Sequence, residues 1–228
     1  MTIADNIRRI RDEIGEAAVR SGRRLSDITL LAVTKTRTVR EIGEAACAGL
    51  EHFGENRVQE AAEKIPFVLE EIVWHMVGPL QSNKAKTAVT LFDWVDSVHS
   101  VKIADVLASY ADKAGKVIRV LIQVNISGEE TKSGVSPGKV RELAEYAMGK
   151  KALEVRGLMT IGSFGVSREV TRAEFSKMKD IFDGLRADSA TGAAMHELSM
   201  GMSGDYPIAV EEGATMVRIG TAIFGERS

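Results

Sequence analysis

The residue best suited to chemistry in this sequence is Lys35, which ends an otherwise apolar run, ITLLAVTK. Such a run is typical of a buried strand, so we expect the lysine amine to lie at the strand end and away from bulk water. A desolvated lysine near other cations loses part of its preference for the charged form, and the neutral amine can form a Schiff base. The alternative is a lysine whose side chain leaves the strand and reaches solvent. Spacing alone leaves both interpretations open.

Two later segments combine glycine, hydroxyl groups and an arginine. Ser199–Ser203 reads SMGMS and Arg218–Thr221 reads RIGT, and each follows an apolar run. Small residues leave backbone N–H groups accessible, and N–H groups next to hydroxyls are typical of phosphate sites. The glycines could instead serve only tight turns. Two such segments, with Arg218 beside them, favour an anionic ligand.

The elements that must position these residues are short apolar runs alternating with segments of helical period. The predicted strands are Thr29–Thr34, Glu51–Gly54, Val73–Val77, Trp94–Val98, Val117–Val124, Glu154–Ile161, Glu197–Met200 and Met216–Ile219. The predicted helices between them are Val39–Ala48, Arg57–Ile65, Asn83–Leu91, Val101–Ala114, Pro137–Met148, Arg172–Leu185 and Tyr206–Glu212.

Eight alternating units predict an α/β fold, a closed (βα)₈ TIM barrel, in which functional residues gather at the carboxyl ends of the strands. An open doubly wound sheet is the alternative, and only the strand count favours the barrel. We expect a single domain over residues 1–228, with a leading amphipathic helix within 1–22 and the barrel over 28–225. The loops after the seventh and eighth strands are the usual phosphate site of such barrels.

Composition excludes several classes of function. The 228 residues carry 30 Lys+Arg against 32 Asp+Glu, a formal net charge of −2, so bulk charge does not favour nucleic acid or an acidic membrane surface. The one cysteine, Cys47, excludes an internal disulfide, and no His, Asp or Glu set has the spacing of a metal site. No stretch approaches the ~18 apolar residues of a membrane span, and the N-terminus lacks the apolar core of a signal peptide. We therefore expect a cytoplasmic protein.

Two histidines could act as general acids or bases. His75 lies in a predicted strand and His196 lies beside one. A histidine in such a place is more often a structural residue with satisfied hydrogen bonds, and this interpretation is kept beside the catalytic one.

Several segments together resemble the pyridoxal phosphate homeostasis proteins of the YggS/PROSC family. In order and spacing they are LLAVTKTRTVREI, HFGENRVQE, WHMVGPLQSNK, VLIQVNISGEETKSG, GLMTIG, ELSMGMSGDY and VRIGTAIFG. The match runs from Leu30 to Gly225. The resemblance implies a barrel like the N-terminal domain of alanine racemase, the type III fold of proteins that bind pyridoxal 5'-phosphate (PLP). It also implies that PLP is held as an internal aldimine on Lys35.

The same resemblance assigns further roles at the site. Ser203, Gly220 and Thr221 would bind the phosphate, with Ser199 a further candidate, and Arg218 would face the pyridine nitrogen. The resemblance also implies that the pocket is lined by Asn56, His75 and Met76. The sequence departs from many relatives at Arg37 and Thr38, where they have Lys and Pro, which changes the entry to the loop more than the site.

The identity of Arg218 bears on what the site could do with PLP. An arginine keeps its proton and can only donate to the ring nitrogen, which leaves that nitrogen unprotonated and weakens the ring as an electron sink. A racemase also needs an acid–base group on each face of its substrate, and alanine racemase takes one from a tyrosine of a second domain. We expect no such domain here. The sequence therefore favours a non-catalytic PLP-binding protein of PLP homeostasis.

Two enzymatic alternatives stay open at this point. One is a PLP-dependent amino-acid racemase or decarboxylase that uses His75 or His196. The other is a Schiff-base aldolase acting on a sugar phosphate, since Lys35 and a phosphate site would also suit that reaction.

The expected partners are PLP itself and, transiently, PLP-dependent enzymes in their apo form. In one hypothesis the aldehyde is handed over through a lysine in a loop near the barrel mouth, with Lys84, Lys86 and Lys132 as candidates; the alternative is that these lysines are simply exposed. We expect a monomer that binds neither nucleic acid nor membrane.

Overall fold

A computed structural model describes residues 2–129 and 131–226, and within these ranges eight parallel strands close into a barrel. They pair in chain order, and β8 pairs with β1 to complete the ring. The strands are β1 (Thr29–Val33), β2 (His52–Glu55), β3 (Val73–Met76), β4 (Trp94–Val98), β5 (Ile118–Val124), β6 (Leu153–Thr160), β7 (Glu197–Ser199) and β8 (Met216–Ile219). The predicted TIM barrel is confirmed, and the open-sheet alternative is wrong.

The helices lie outside the ring. They are α1 (Ile3–Arg20), α2 (Val39–Cys47), α3 (Val58–Lys64), α4 (Ala85–Leu91), α5 (Val101–Lys113), α6 (Val140–Met148), α7 (Arg168–Arg186), α8 (Tyr206–Glu211) and α9 (Thr221–Phe224). Helix α7 begins four residues before the predicted Arg172, because the Ser167 side chain caps it by accepting from the Val170 N–H. Helix α9 was not predicted.

The leading helix α1 takes a place in the ring of helices. Its buried side chains recur along one face, at Ile7, Ile10 and Ile14, and it packs against α8, α9 and α2. Thr2 and Asp5 form a capping box at its start. Because α9 has only four residues, α1 covers the part of the barrel wall that a full eighth helix would otherwise cover.

Side chains alternate between the barrel interior and the outer layer, as the period of two along each strand requires. One interior cluster contains Leu31, Val77 and Met216, and another contains Trp94, Leu121 and Met159. The large core lies between the sheet and the helices. This alternation decides which residues at a strand end can face the barrel mouth.

Gly157 in β6 shows how closely the strands approach. Its φ is 149°, and a Cβ atom at this position would lie 1.9 Å from the Glu197 carbonyl oxygen of β7. It also lies where the β5–β6 register shifts. Only glycine fits here, and the position of β7 depends on it.

Candidate functional site

A cleft of about 400 Å³ opens at the carboxyl ends of the strands. It is bordered by the loops that follow β1, β6, β7 and β8. The lining residues are Val33, Lys35, Arg37, Ser163, Phe164, Gly165, Val166, Thr171, Met202, Ser203, Gly204, Asp205, Arg218, Gly220 and Thr221. The structure thus brings together five residues that the sequence singled out: Lys35, Ser203, Arg218, Gly220 and Thr221.

Lys35 lies two residues beyond β1 and is half-buried in the cleft wall. No hydrogen bond or ion pair joins its amine to another residue in 2–129 or 131–226. Its neighbours in the chain, Thr34 and Thr36, are both held by other side chains, as described below. The amine is therefore available to a ligand while its backbone is fixed.

Arg218 in β8 is 4% exposed and forms part of the cleft floor. Its Nη1 donates to Ser199 Oγ at 2.7 Å, and its Nη2 donates to the Thr160 carbonyl oxygen at 2.7 Å. Burial lowers the pKa of Arg218 to about 10, while the charges of Asp96 and Asp205 act in the opposite direction. The guanidinium is thus protonated at neutral pH, and Ser199 orients it instead of lining the cleft.

Backbone and hydroxyl donors from the loops after β7 and β8 also border the cleft. Ser203 Oγ accepts from the Ala222 N–H at 3.2 Å, which leaves the hydroxyl proton of Ser203 free to donate. The backbone N–H groups of Ser203, Gly204 and Thr221 donate to no acceptor in the described part of the chain. Ser203, Gly204, Gly220 and Thr221 are called the anion cradle below. Unpaired N–H groups beside a hydroxyl suit a phosphate.

His75 lies inside the barrel and does not line the cleft. Its Nδ1 is 3.1 Å from Asp96 Oδ1, and its Nε2 is 3.0 Å from His52 Nδ1. Its ring stacks on Trp94 with centroids 5.1 Å apart. Both ring nitrogens are therefore engaged, as the structural interpretation of this histidine requires. His52 and Asp96 could not be recognised from the sequence as its partners, because they lie on other strands, β2 and β4.

The predicted place of Met76 in the pocket is corrected by the alternation of side chains along β3. It is 1% exposed and belongs to the outer core between sheet and helices, so its side chain cannot line the pocket. Asn56 is half-buried just after β2, outside the residues that border the cleft. His196 is exposed before the amino end of β7, opposite the cleft, and its Nε2 is 2.9 Å from the Ala193 carbonyl oxygen.

Sequence reasoning missed several residues that border the cleft. Arg37 packs over the Phe224 ring at 5.6 Å and donates to the Gly225 carbonyl oxygen at 2.5 Å, which ties the loop after β1 to the last described segment. Asp205 accepts from the Met202 N–H at 2.5 Å and shapes the loop after β7. In the sequence, only its place two residues after Lys35 indicated that Arg37 could border the cleft. The 163–166 border could be recognised in the sequence only as a Gly-rich loop.

The three lysines of the handover hypothesis differ in their surroundings. Lys132 follows β5, and its Nζ is 2.6 Å from Glu129 Oε1 and 3.2 Å from the Gly162 carbonyl oxygen. Lys84 is half-buried at the start of α4, and Lys86 is exposed within it. None of the three borders the cleft as described.

The chain is similar over its whole length to a known protein family and to individual proteins. The family model "Alanine racemase, N-terminal domain" matches residues 2–228. A pyridoxal phosphate homeostasis protein of Pasteurella multocida is 41% identical over 230 residues, covering 100% of this chain and 98% of that protein. The chain belongs to the family of pyridoxal phosphate homeostasis proteins, whose fold is that of the alanine racemase N-terminal domain. A second pyridoxal phosphate homeostasis protein, from Vibrio alginolyticus, is 43% identical over 231 residues, covering 99% of this chain and 98% of that protein.

Solved structures of the family have the same fold. PipY of Synechococcus elongatus with PLP bound superimposes with a TM-score of 0.83 at 35% identity, covering 98% of this chain and 100% of that one. An alanine racemase of Clostridium difficile has a TM-score of 0.75 at 17% identity, and the match covers 98% of this chain and 60% of the racemase, which supports the fold alone. The resemblance found in the sequence motifs is thereby confirmed.

Over residues 2–129 and 131–226, no group of three or more His, Cys, Asp or Glu side chains could hold a metal ion. Over the same ranges, no helix is both long and apolar enough to cross a bilayer.

Proposed function

We propose that this chain binds PLP in the cleft, holds it as a Schiff base on Lys35, and serves PLP homeostasis without catalysis of its own. One observation carries the proposal: an amine with no described partner faces the same cleft as the anion cradle and a buried arginine. A ligand with an aldehyde and a phosphate would engage both the Lys35 amine and the anion cradle. The PLP named in the PipY structure supports the same ligand class.

The residues would divide the ligand between them. Ser203, Gly220 and Thr221 would hold the phosphate, and Arg218, oriented by Ser199, would donate to the ring nitrogen. Lys35 would attack the aldehyde carbon through Nζ, forming a C=N bond as the carbonyl oxygen leaves as water. When bound, PLP can act as an electron sink for carbanion chemistry.

The surroundings of the acid–base candidates support a non-catalytic role. His75 has both ring nitrogens engaged below the cleft, and His196 lies at the opposite end of the barrel. The Arg218 guanidinium keeps its proton at neutral pH and can only donate a hydrogen bond, so it would leave the ring nitrogen unprotonated and the electron sink weak. Cα proton exchange would therefore lack the second acid–base group that racemisation requires.

The whole chain, residues 1–228, would act as one PLP-binding domain. It would work as a monomer in the cytoplasm and pass PLP transiently to apo-enzymes. Delivery through Lys84, Lys86 or Lys132 predicts slower transfer to an apo-enzyme when all three are changed to Ala. Unchanged transfer in that variant would exclude this route.

The test of the site is the absorbance spectrum of the purified protein after addition of PLP. The wild-type protein should show a visible Schiff-base band, and borohydride reduction followed by peptide mapping should place the label on Lys35. Lys35→Ala should lose both, while Lys102→Ala, an exposed lysine of α5, should keep both. A label elsewhere would overturn the site. Exchange of Cα hydrogen for solvent deuterium in a panel of amino acids would overturn the non-catalytic role.

A further inference from the structure

An ionic network lies behind the Lys35 segment, on the outer side of the sheet. Lys64 of α3 is 3.0 Å from Glu55 Oε1 and 2.5 Å from Glu60 Oε1, and its Nζ also donates to the Thr34 carbonyl oxygen at 2.9 Å. Thr34 Oγ1 donates to Glu55 Oε1 at 2.8 Å. Glu55, Glu60 and Lys64 are called the outer clamp below. The outer clamp therefore reaches the residue before Lys35.

The same network also holds the residue after Lys35. The Thr36 N–H donates to Glu60 Oε1, the oxygen that also contacts Lys64. Thr36 has a φ of 63° and is the one non-glycine residue with positive φ in the described part of the chain. A β-branched residue in this region is strained and persists only where its surroundings impose the conformation. Two bonds hold the chain here: the Thr36 N–H donates to Glu60, and the Arg37 N–H donates to the Thr34 carbonyl oxygen at 2.9 Å, which closes a turn around Lys35 and Thr36.

None of the three clamp residues borders the cleft. Glu55 is fully buried, and its Oε2 has no hydrogen-bond partner among the described residues. Burial raises the pKa of Glu55, although the bonds from Thr34 and Lys64 act in the opposite direction. A buried carboxyl with one unsatisfied oxygen is costly, so stability alone is a poor explanation of this network.

We propose that the outer clamp is a positioning device for the Lys35 amine. It would fix the backbone on both sides of Lys35, with Thr36 in its strained conformation, so that Nζ points into the cleft before any ligand arrives. Preorganisation of this kind raises affinity because less ordering remains to be done on binding. The proposal rests on the proposed function. It predicts that Glu60 and Lys64 affect only the bond between Lys35 and the ligand aldehyde, and not the binding of the phosphate.

The experiment compares two ligands in the full chain. PLP can bond to Lys35, whereas pyridoxine 5'-phosphate has an alcohol in place of the aldehyde and can use only the remainder of the site. Glu60→Ala should raise the Kd for PLP about 5–30-fold, as expected for a loss of one or two kcal/mol. It should leave the Kd for pyridoxine 5'-phosphate within about twofold. Glu63→Ala, an exposed acid on the same helix, is the matched control and should change neither.

A second measurement needs no ligand. Amide hydrogen exchange at Thr36 should be faster in Glu60→Ala than in the wild-type protein, because the N–H loses its acceptor. Lys64→Met should likewise raise the Kd for PLP and speed exchange at Thr36. Because this change leaves the buried Glu55 without its ion-pair partner, thermal unfolding of the variant is measured alongside to show that it is folded.

The outcomes separate the two proposals. The positioning role would be overturned if Glu60→Ala raised the Kd values for PLP and pyridoxine 5'-phosphate equally. It would also be overturned if neither the Kd for PLP nor the exchange rate at Thr36 changed. If the wild-type protein bound PLP without a label on Lys35, the proposed function would fail instead.

Discussion

The hydroxyl of Ser203 is the part of the anion cradle whose contribution can be worked out most directly. Its oxygen accepts from the Ala222 N–H at 3.2 Å, so its proton is free to donate to a phosphate oxygen. A hydrogen bond to a charged group contributes about 1.5–3 kcal/mol. Ser203→Ala should therefore raise the Kd for PLP by about 10- to 150-fold.

A second ligand assigns this loss to the phosphate. Pyridoxal has the ring and aldehyde of PLP without the phosphate, so Ser203→Ala should change its Kd by less than about twofold. Spectroscopic titration of the wild-type and variant proteins with both ligands gives a cycle that isolates the interaction between hydroxyl and phosphate. Ser189→Ala, in an exposed turn after α7, is the control and should leave both ligands unaffected.

Stability is the remaining variable in this test. Ser203→Ala also removes the acceptor of the Ala222 N–H. Because Ala222 is partly exposed, water can replace the lost hydroxyl as acceptor. The unfolding free energy should therefore fall by about 1 kcal/mol or less. If PLP and pyridoxal lost affinity equally, or if neither changed in a folded variant, assignment of the phosphate to the anion cradle would be refuted.

Two further predictions concern the barrel itself. Gly157→Ala should lower the unfolding free energy by about 3 kcal/mol or more, because its Cβ would lie 1.9 Å from the Glu197 carbonyl oxygen. The control is Gly184→Ala, in open space on α7, which should raise the unfolding free energy by up to about 1 kcal/mol. A urea titration that found Gly157→Ala more stable than Gly184→Ala would contradict the packing at β7. Burial, assisted by His75, lowers the pKa of His52 from its ordinary value of 6.5, so the unfolded chain binds more protons than the folded one below that pH. Stability should thus be retained above about pH 6.5 and fall on acidification, and a His52→Gln variant with an unchanged slope of stability between about pH 7.5 and about pH 5.5 would contradict this account.

The strands and the cleft could be predicted from local pattern. Apolar runs end at Lys35, Ser199 and Arg218, and the closed barrel brings these ends together without any information on tertiary contacts. The error at Met76 was avoidable in principle. Neighbouring residues of a strand face opposite sides, so His75 and Met76 could not both point into the barrel.

Other features needed the tertiary structure. Glu60 and Lys64 are four residues apart on α3, which in sequence resembles an ordinary surface ion pair. Only the packing of α3 behind β1 brings them to Thr34 and Thr36. The His52–His75–Asp96 chain likewise joins three strands through the barrel interior. Helix α9 was missed because four residues are too short to show a period.

The end of β1 shows how one strand can hold a reactive group and fix it at the same time. The alternation of side chains sends Val33 and Lys35 toward the cleft, while Thr34 between them faces the outer layer. The groups that fix the lysine backbone therefore lie where a ligand in the cleft cannot reach them. This separation means that cleft residues alone do not determine how well Lys35 is placed. We therefore expect a relative that kept the lysine and the anion cradle but changed α3 to bind phosphate as well as this chain and to hold its amine less firmly.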